Sequence, residues 1–245
     1  MCGRYTLIAN AEAIRVLFGV PAFDERLVPP RYNIAPTQPI VIVRQGARGR
    51  ELIPVRWGLI PAWAKNPDEL SLMINARAEG IADRPAFGGA FRYRRCLVPA
   101  SGFYEWQARG RGRKQPYAAR PKDSGPIAFA GIWETWQGAD GSEIDTAAIV
   151  TTDANALLAP VHDRMPVIVH PHDFERWLSP RTDPADAMAL LKPPPEDLLA
   201  LTPVSSRVNA VANDDPSLLT EAAEEPASST GQEPAEEPLQ RDLFL

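Results

Sequence analysis

The spacing of apolar and polar positions changes several times along the first 180 residues. Ala11–Phe18 has helical spacing. Ile40–Arg44, Arg95–Val98, Ile127–Trp133, Thr146–Thr152 and Val167–Val169 are apolar or β-branched runs bounded by turn residues, and predict strands. Helices are expected at Asn155–Leu158 and at His172–Leu178, where Pro171-His-Asp suits a helix start. Further on, Pro193-Pro194-Pro195 separates a short helix over Pro184–Leu191 from a second helical piece around Glu196–Leu201. Strands dominate and do not alternate with long helices, which argues against a doubly wound sheet. No internal repeat is evident. The expectation is an α+β domain around a curved, barrel-like, mostly antiparallel sheet with short flanking helices.

Composition sharpens this picture at the C-terminus. All six tryptophans lie at or before Trp177, and no aromatic residue follows until Phe244. Residues 213–238 form a Pro/Glu/Ala/Ser tract too poor in apolar surface to offset its ordering entropy, and are expected to be disordered. The expected division is a folded domain over 2–212 and an acidic tail over 213–245. The tail holds nine acids and one base, Arg241, so residues 1–212 carry 25 bases against 22 acids. The net charge of −5 therefore belongs to the tail, and the mildly basic remainder is compatible with nucleic-acid binding. Two cysteines exclude a disulfide-stapled scaffold and a four-cysteine zinc site. No apolar run approaches the roughly 18 residues of a membrane span, and the N-terminus lacks signal-peptide features. A cytoplasmic protein is expected.

Candidate chemistry starts at Cys2, directly after the initiator Met. Removal of that Met leaves a thiol and an α-amine on adjacent carbons. The amine, with a reference pKa of about 7.7–8.0, is partly neutral near pH 7. Such a pair condenses with an aldehyde to a Schiff base, and the thiol closes onto the imine to give a thiazolidine. A thiol nucleophile acting alone and an idle terminus are the other readings of the same residue. Cys96, in Arg95-Cys-Leu-Val, reads as a small buried hydrophobe. Asn75, Glu105 (in Gly102-Phe-Tyr-Glu-Trp106) and His162 (in Pro160-Val-His-Asp-Arg-Met-Pro166) are polar residues in apolar surroundings. Together they suit acid–base chemistry; singly they also read as a turn asparagine, an ion-paired carboxylate and a structural histidine. His170-Pro-His172 lacks nearby acidic or thiol partners, so no metal is expected.

These residues sit in six motifs: Cys2-Gly-Arg4, Arg31-Tyr-Asn-Ile-Ala-Pro-Thr37, Trp57-Gly-Leu-Ile-Pro61, Asn75-Ala-Arg-Ala-Glu79, Arg95-Cys-Leu-Val-Pro-Ala-Ser-Gly-Phe-Tyr-Glu-Trp106 and His162-Asp-Arg-Met-Pro166. In order and spacing they closely resemble the SRAP proteins, the SOS-response-associated peptidases, over roughly residues 2–212. Val98 and Ser101 depart from the usual Ile and Asp, at positions with no proposed catalytic role.

The resemblance implies a sensor of abasic sites in single-stranded DNA that joins the lesion covalently through Cys2 as a thiazolidine, with associated lyase chemistry and autoproteolytic Met removal. It makes Cys2 the crosslinking residue. Asn75 positions amine and sugar, Glu105 moves protons, and His162 assists sugar-ring opening. Arg4, Arg77, Arg164 and Arg84 are expected to meet phosphates, and Trp57 and Pro36 to act as stacking or wedge surfaces. Arg109-Gly-Arg-Gly-Arg-Lys114 reads as a basic hairpin tip that holds DNA or is simply solvated. No cofactor is implied, and a monomer is expected because the site closes within one chain. At the far end, Gln240-Arg-Asp-Leu-Phe244 resembles the bacterial sliding-clamp-binding pentapeptide, with Gln240, Asp242, Leu243 and Phe244 matching and Arg241 departing. Such a tail would bring the sensor to replication forks, nucleoid-associated when DNA-bound. The competing readings are a cysteine-dependent peptidase acting on proteins and a non-covalent single-strand-binding module.

Overall fold

Strands carry most of the architecture. In the computed structural model, which describes residues 2–110 and 113–223, they are β1 (Tyr5–Leu7), β2 (Arg31–Ile34), β3 (Pro39–Gly46), β4 (Gly49–Trp57), β5 (Asn75–Arg77), β6 (Arg95–Ala100), β7 (Gly102–Ala108), β8 (Lys114–Pro121), β9 (Ile127–Gln137), β10 (Glu143–Asp153), β11 (Arg164–Pro166) and β12 (Leu199–Pro203). The helices are short: α1 (Ala11–Phe18), α2 (Gly88–Tyr93), α3 (Phe174–Leu178) and α4 (Pro184–Met188).

One sheet runs β11-β10-β4-β3-β6-β9, and β9 pairs back onto β10. The five strands β10, β4, β3, β6 and β9 thus close into a barrel, which removes exposed edges. Its pairings are antiparallel except β10 with β4; β5 also adds to β10 in parallel. A second, five-stranded sheet, β12-β8-β7-β1-β2, covers one side. The two sheets meet where β6 passes directly into β7. There Gly102 lies against β8 so closely that a Cβ would stand 2.6 Å from the Ala119 carbonyl oxygen, a contact only glycine permits. The core fills the barrel and the space between the sheets, with Tyr5, Trp57, Phe103 and Phe129 fully buried. Tyr5 meets the Trp57 and Phe129 rings edge-on at 5.3 and 6.0 Å.

The expected α+β fold and barrel-like sheet are present. Helix α1 spans the expected residues, capped by the Asn10 side chain on the Ala13 N–H and by left-handed Gly19. Four local expectations are corrected. Asn155–Leu158 is not a helix but isolated turns, cut short by Pro160. The strand expected at Val167–Val169 lies earlier, at β11, and leaves only an Ile168–Phe129 bridge behind it. The helical piece at Glu196–Leu201 is instead strand β12, recruited by the open edge of β8. Finally, residues 213–223 of the tract expected to be disordered are ordered, and 224–238 lie outside the described residues. Residues 216–219 form a 3₁₀ turn with Leu218 fully buried, the Asp214 carboxylate accepts from the Tyr32 and Asn33 N–H groups, and Glu221 bridges to Val204. The folded part therefore continues past 212 through 223.

Candidate active site

Strand β10 sets the frame. Its Ile149 N–H and Thr151 carbonyl point to one edge, where they bond Ile74 and Ala78 around β5; its Val150 carbonyl points to the other, where it accepts from Val167 after β11. β5 and the segment leading into β11 therefore flank β10 on opposite edges, the first carrying Asn75 and the second His162. Strand β1 runs antiparallel to β7, with Tyr5 opposite Phe103, and this brings Cys2 towards Glu105. Four residues distant in sequence converge for these reasons.

Cys2 is fully buried, with Sγ 3.8 Å from the Arg4 carbonyl oxygen. Burial, reinforced by the Glu105 charge, drives its thiol far above the ordinary range, so sulfur is protonated near neutrality. The Asn75 Nδ2 donates to the Cys2 carbonyl at 2.9 Å, while its Oδ1 is buried without a partner among the described residues. The Glu105 side chain is 3% exposed, and burial raises its carboxyl to about 7. His162 Nε2 stands 3.9 Å from Glu105 Oε2. The Arg164 N–H donates to His162 Nδ1 at 2.9 Å, which requires a lone pair there and puts the proton of neutral imidazole on Nε2. The Asp163 carboxylate lies equally near Nδ1 but is 86% exposed. Burial lowers the His162 pKa and keeps the ring neutral. The arrangement presents a buried thiol, an amide with a spare acceptor, and a carboxyl able to give or take a proton near pH 7.

Beside Asn75 opens a cleft of about 580 Å³ lined by Ser71–Met73, Arg77 and Arg84–Phe87. Arg77 and Arg84 are exposed there and form no ion pair among the described residues. Leu72, 49% exposed, forms part of the wall. Trp63, 58% exposed, bonds the neighbouring Pro85 carbonyl through Nε1 at 3.3 Å. The sequence analysis did not single out Trp63 and Leu72, although large apolar side chains in the otherwise polar run 61–72 were the available signal. Pro36 is half-buried on a surface turn with Thr37 at φ +71°.

Three expected DNA contacts are corrected. Trp57 is fully buried, its Nε1 donating to the Ile74 carbonyl, and offers no face to a base. Arg4 turns inward, bonding Asn33 Oδ1 and the Val208 and Asn209 carbonyls, and burial lowers its pKa. Arg164 is 9% exposed at its side chain and is held by Asp153, Glu79 and the Thr151 carbonyl. Both arginines are held by the protein's own oxygens, Arg164 more deeply than the half-buried Arg4. Gln240, Asp242, Leu243 and Phe244 lie outside the described residues.

A fold built on this barrel, with the Asn75 and His162 motifs on opposite edges of β10, defines a family as well as a site. The family model "SOS response associated peptidase (SRAP)" matches residues 1–211, and the chain belongs to that family. It is 39% identical over 221 residues to the Abasic site processing protein YoqW of Bacillus subtilis, covering 89% of this chain and 99% of that one. To the Abasic site processing protein HMCES of Gallus gallus it is 34% identical, over 78% of this chain and 66% of that one. A solved structure from Bacteroides thetaiotaomicron superposes with a TM-score of 0.81 at 26% identity, covering 91% of this chain and all of the other.

Proposed function

We propose that this chain processes abasic sites in single-stranded DNA by forming a covalent bond to them through Cys2, once Met1 has been removed. The observation that carries this reading is the convergence of buried Cys2 and Glu105 with half-buried Asn75 and His162, beside a cleft bearing the exposed Arg77 and Arg84. The names of the relatives as abasic site processing proteins support it.

The open-chain aldehyde of an abasic deoxyribose accepts the neutral Cys2 amine at C1′. Glu105 gives a proton to the carbinolamine hydroxyl, which leaves as water to form an iminium; the iminium N–H proton returns to the Glu105 carboxylate, giving the imine. The thiol then adds to the imine carbon and its proton passes to the imine nitrogen, closing the thiazolidine. A carboxyl near 7 supports this sequence because both of its forms are populated at neutral pH. Asn75 Oδ1 is suited to accept from the amine or from a sugar hydroxyl, and His162 to exchange a proton as the sugar ring opens. Before sulfur adds, the iminium acidifies C2′; loss of that proton expels the 3′ phosphate, which is the associated lyase reaction. Arg77 and Arg84 take phosphates, with Pro36, Trp63 and Leu72 as surfaces for unstacked bases. The raised thiol pKa disfavours a peptidase acting on other proteins, which needs a ready thiolate.

Incubation with a single-stranded oligonucleotide holding one abasic site is expected to give an adduct that survives denaturing electrophoresis, with a mass that lacks Met1. Its absence from protein with a free Cys2 amine, or its persistence in Cys2→Ala, overturns the reading. The protein is proposed to act as a monomer and to reach nascent DNA through Gln240–Phe244. The peptide Pro234–Leu245 is then expected to bind purified bacterial clamp at micromolar concentration, and no binding removes the delivery role.

A further inference from the structure

The two cations in the cleft lie on one side of the reactive cluster only. Arg77 follows Asn75 in β5, on one edge of β10, and Arg84 shares its cleft. On the other edge, the loop leading into β11 carries His162, and against that loop stands the β7–β8 hairpin. Gln107 Nε2 donates to the Pro160 carbonyl at 2.8 Å and docks the hairpin two residues from His162. In the hairpin register Glu105 faces Tyr117, Gln107 faces Gln115 and Ala108 faces Lys114. Lys114 thus sits about 10 Å along the ribbon from the Glu105 pair. Arg113 precedes it, its N–H bonded to the Gly110 carbonyl at 3.0 Å. Arg113 and Lys114 are exposed, and neither forms an ion pair among the described residues. Lys114 is near enough for its charge to be felt at His162.

A single strand with its lesion at Cys2 carries phosphates on both sides of the abasic sugar. Two cation pairs on opposite edges of β10, with the reactive groups between them, match that geometry. We propose that the β7–β8 hairpin, through Arg113 and Lys114, is the phosphate-binding surface for the flank of DNA opposite to the one held by Arg77 and Arg84. The cluster is then straddled, and the strand crosses it from cleft to hairpin. This inference rests on the abasic-DNA reading of the site.

The test uses the full chain and single-stranded oligonucleotides carrying a tetrahydrofuran abasic analogue, which has no aldehyde and so reports binding alone. The lesion is placed centrally, near the 5′ end or near the 3′ end. With the central lesion, Arg113→Ala/Lys114→Ala is expected to weaken binding on the order of tenfold at 0.1 M salt. It should also reduce the slope of log K against log salt by about 1.4, the value for two lost contacts on a single strand. Removing one flank should abolish this penalty, and removing the other flank should abolish the penalty of Arg77→Ala/Arg84→Ala. An unchanged affinity and slope in the hairpin variant with an unchanged melting temperature, or loss of both penalties on removing the same flank, overturns the proposal. A true abasic oligonucleotide run in parallel separates the two readings: flank-dependent binding without an adduct refutes the covalent chemistry and leaves the hairpin surface standing. No binding by the unaltered protein refutes both.

Discussion

Glu105 carries a cost in stability. Its folded pKa of about 7 lies above the ordinary 4.5, so the native state holds a proton that the unfolded chain has lost between those values. Stability contributed by the neutral carboxyl is present below about 4.5 and is lost as pH rises to 7, amounting to ~3 kcal/mol above that. Glu105→Gln is therefore expected to raise the melting temperature at pH 8 much more than at pH 5, while slowing adduct formation by roughly 10²–10⁴-fold. Paired thermal melts and single-turnover kinetics check both. Arg164 makes a different prediction. Its guanidinium ties Asp153 to Glu79 while its own N–H fixes the His162 ring, so it joins the two edges of β10 that carry His162 and Asn75. Arg164→Met should slow adduct formation and shift the His162 tautomer seen by ¹⁵N NMR. Affinity for single-stranded DNA and its salt slope should stay unchanged; a slope reduced by about 0.7 would instead mark a phosphate contact.

At the level of elements, legibility followed burial on both faces. β6 after Arg95 and the central part of β9 are apolar and read directly as strands. β7 and β8 escaped because buried Glu105 and Gln115 interrupt the apolar pattern, and β12 because Leu198–Leu201 reads equally as helix until β8 claims it. The four residues that converge, Cys2, Asn75, Glu105 and His162, all lie in motifs legible in the sequence. Trp57, Arg4 and Arg164 were misplaced because a motif records which residues occur together and not which way they point. The segment 213–223 was lost in an acidic tract, since one buried leucine and one well-placed aspartate weigh little in composition. That segment is held by Asn33, whose Nδ2 donates to the Asn213 carbonyl and whose N–H donates to the Asp214 carboxylate. Ending the chain after residue 223 should leave the melting temperature unchanged. Ending it after residue 212 should cost about 2–4 kcal/mol, from the Leu218 side chain and the Asp214 bonds, seen as a drop of several degrees.

For the whole molecule, barrel closure and site assembly are one event. Trp57 closes β4 against the core and bonds the Ile74 carbonyl beside Asn75. Trp57→Ala should cost roughly 3–5 kcal/mol, with adduct formation lost in proportion to unfolding; a folded but inactive variant would instead assign the ring a local role. The spread of the site along the chain also orders its birth. Residue 2 leaves the ribosome first, yet its partners are residues 75, 105 and 162, and β10 between them is closed by strands from most of the intervening sequence. An unfinished chain therefore carries a cysteine without its neighbours, and the four residues come together only when synthesis has passed β11.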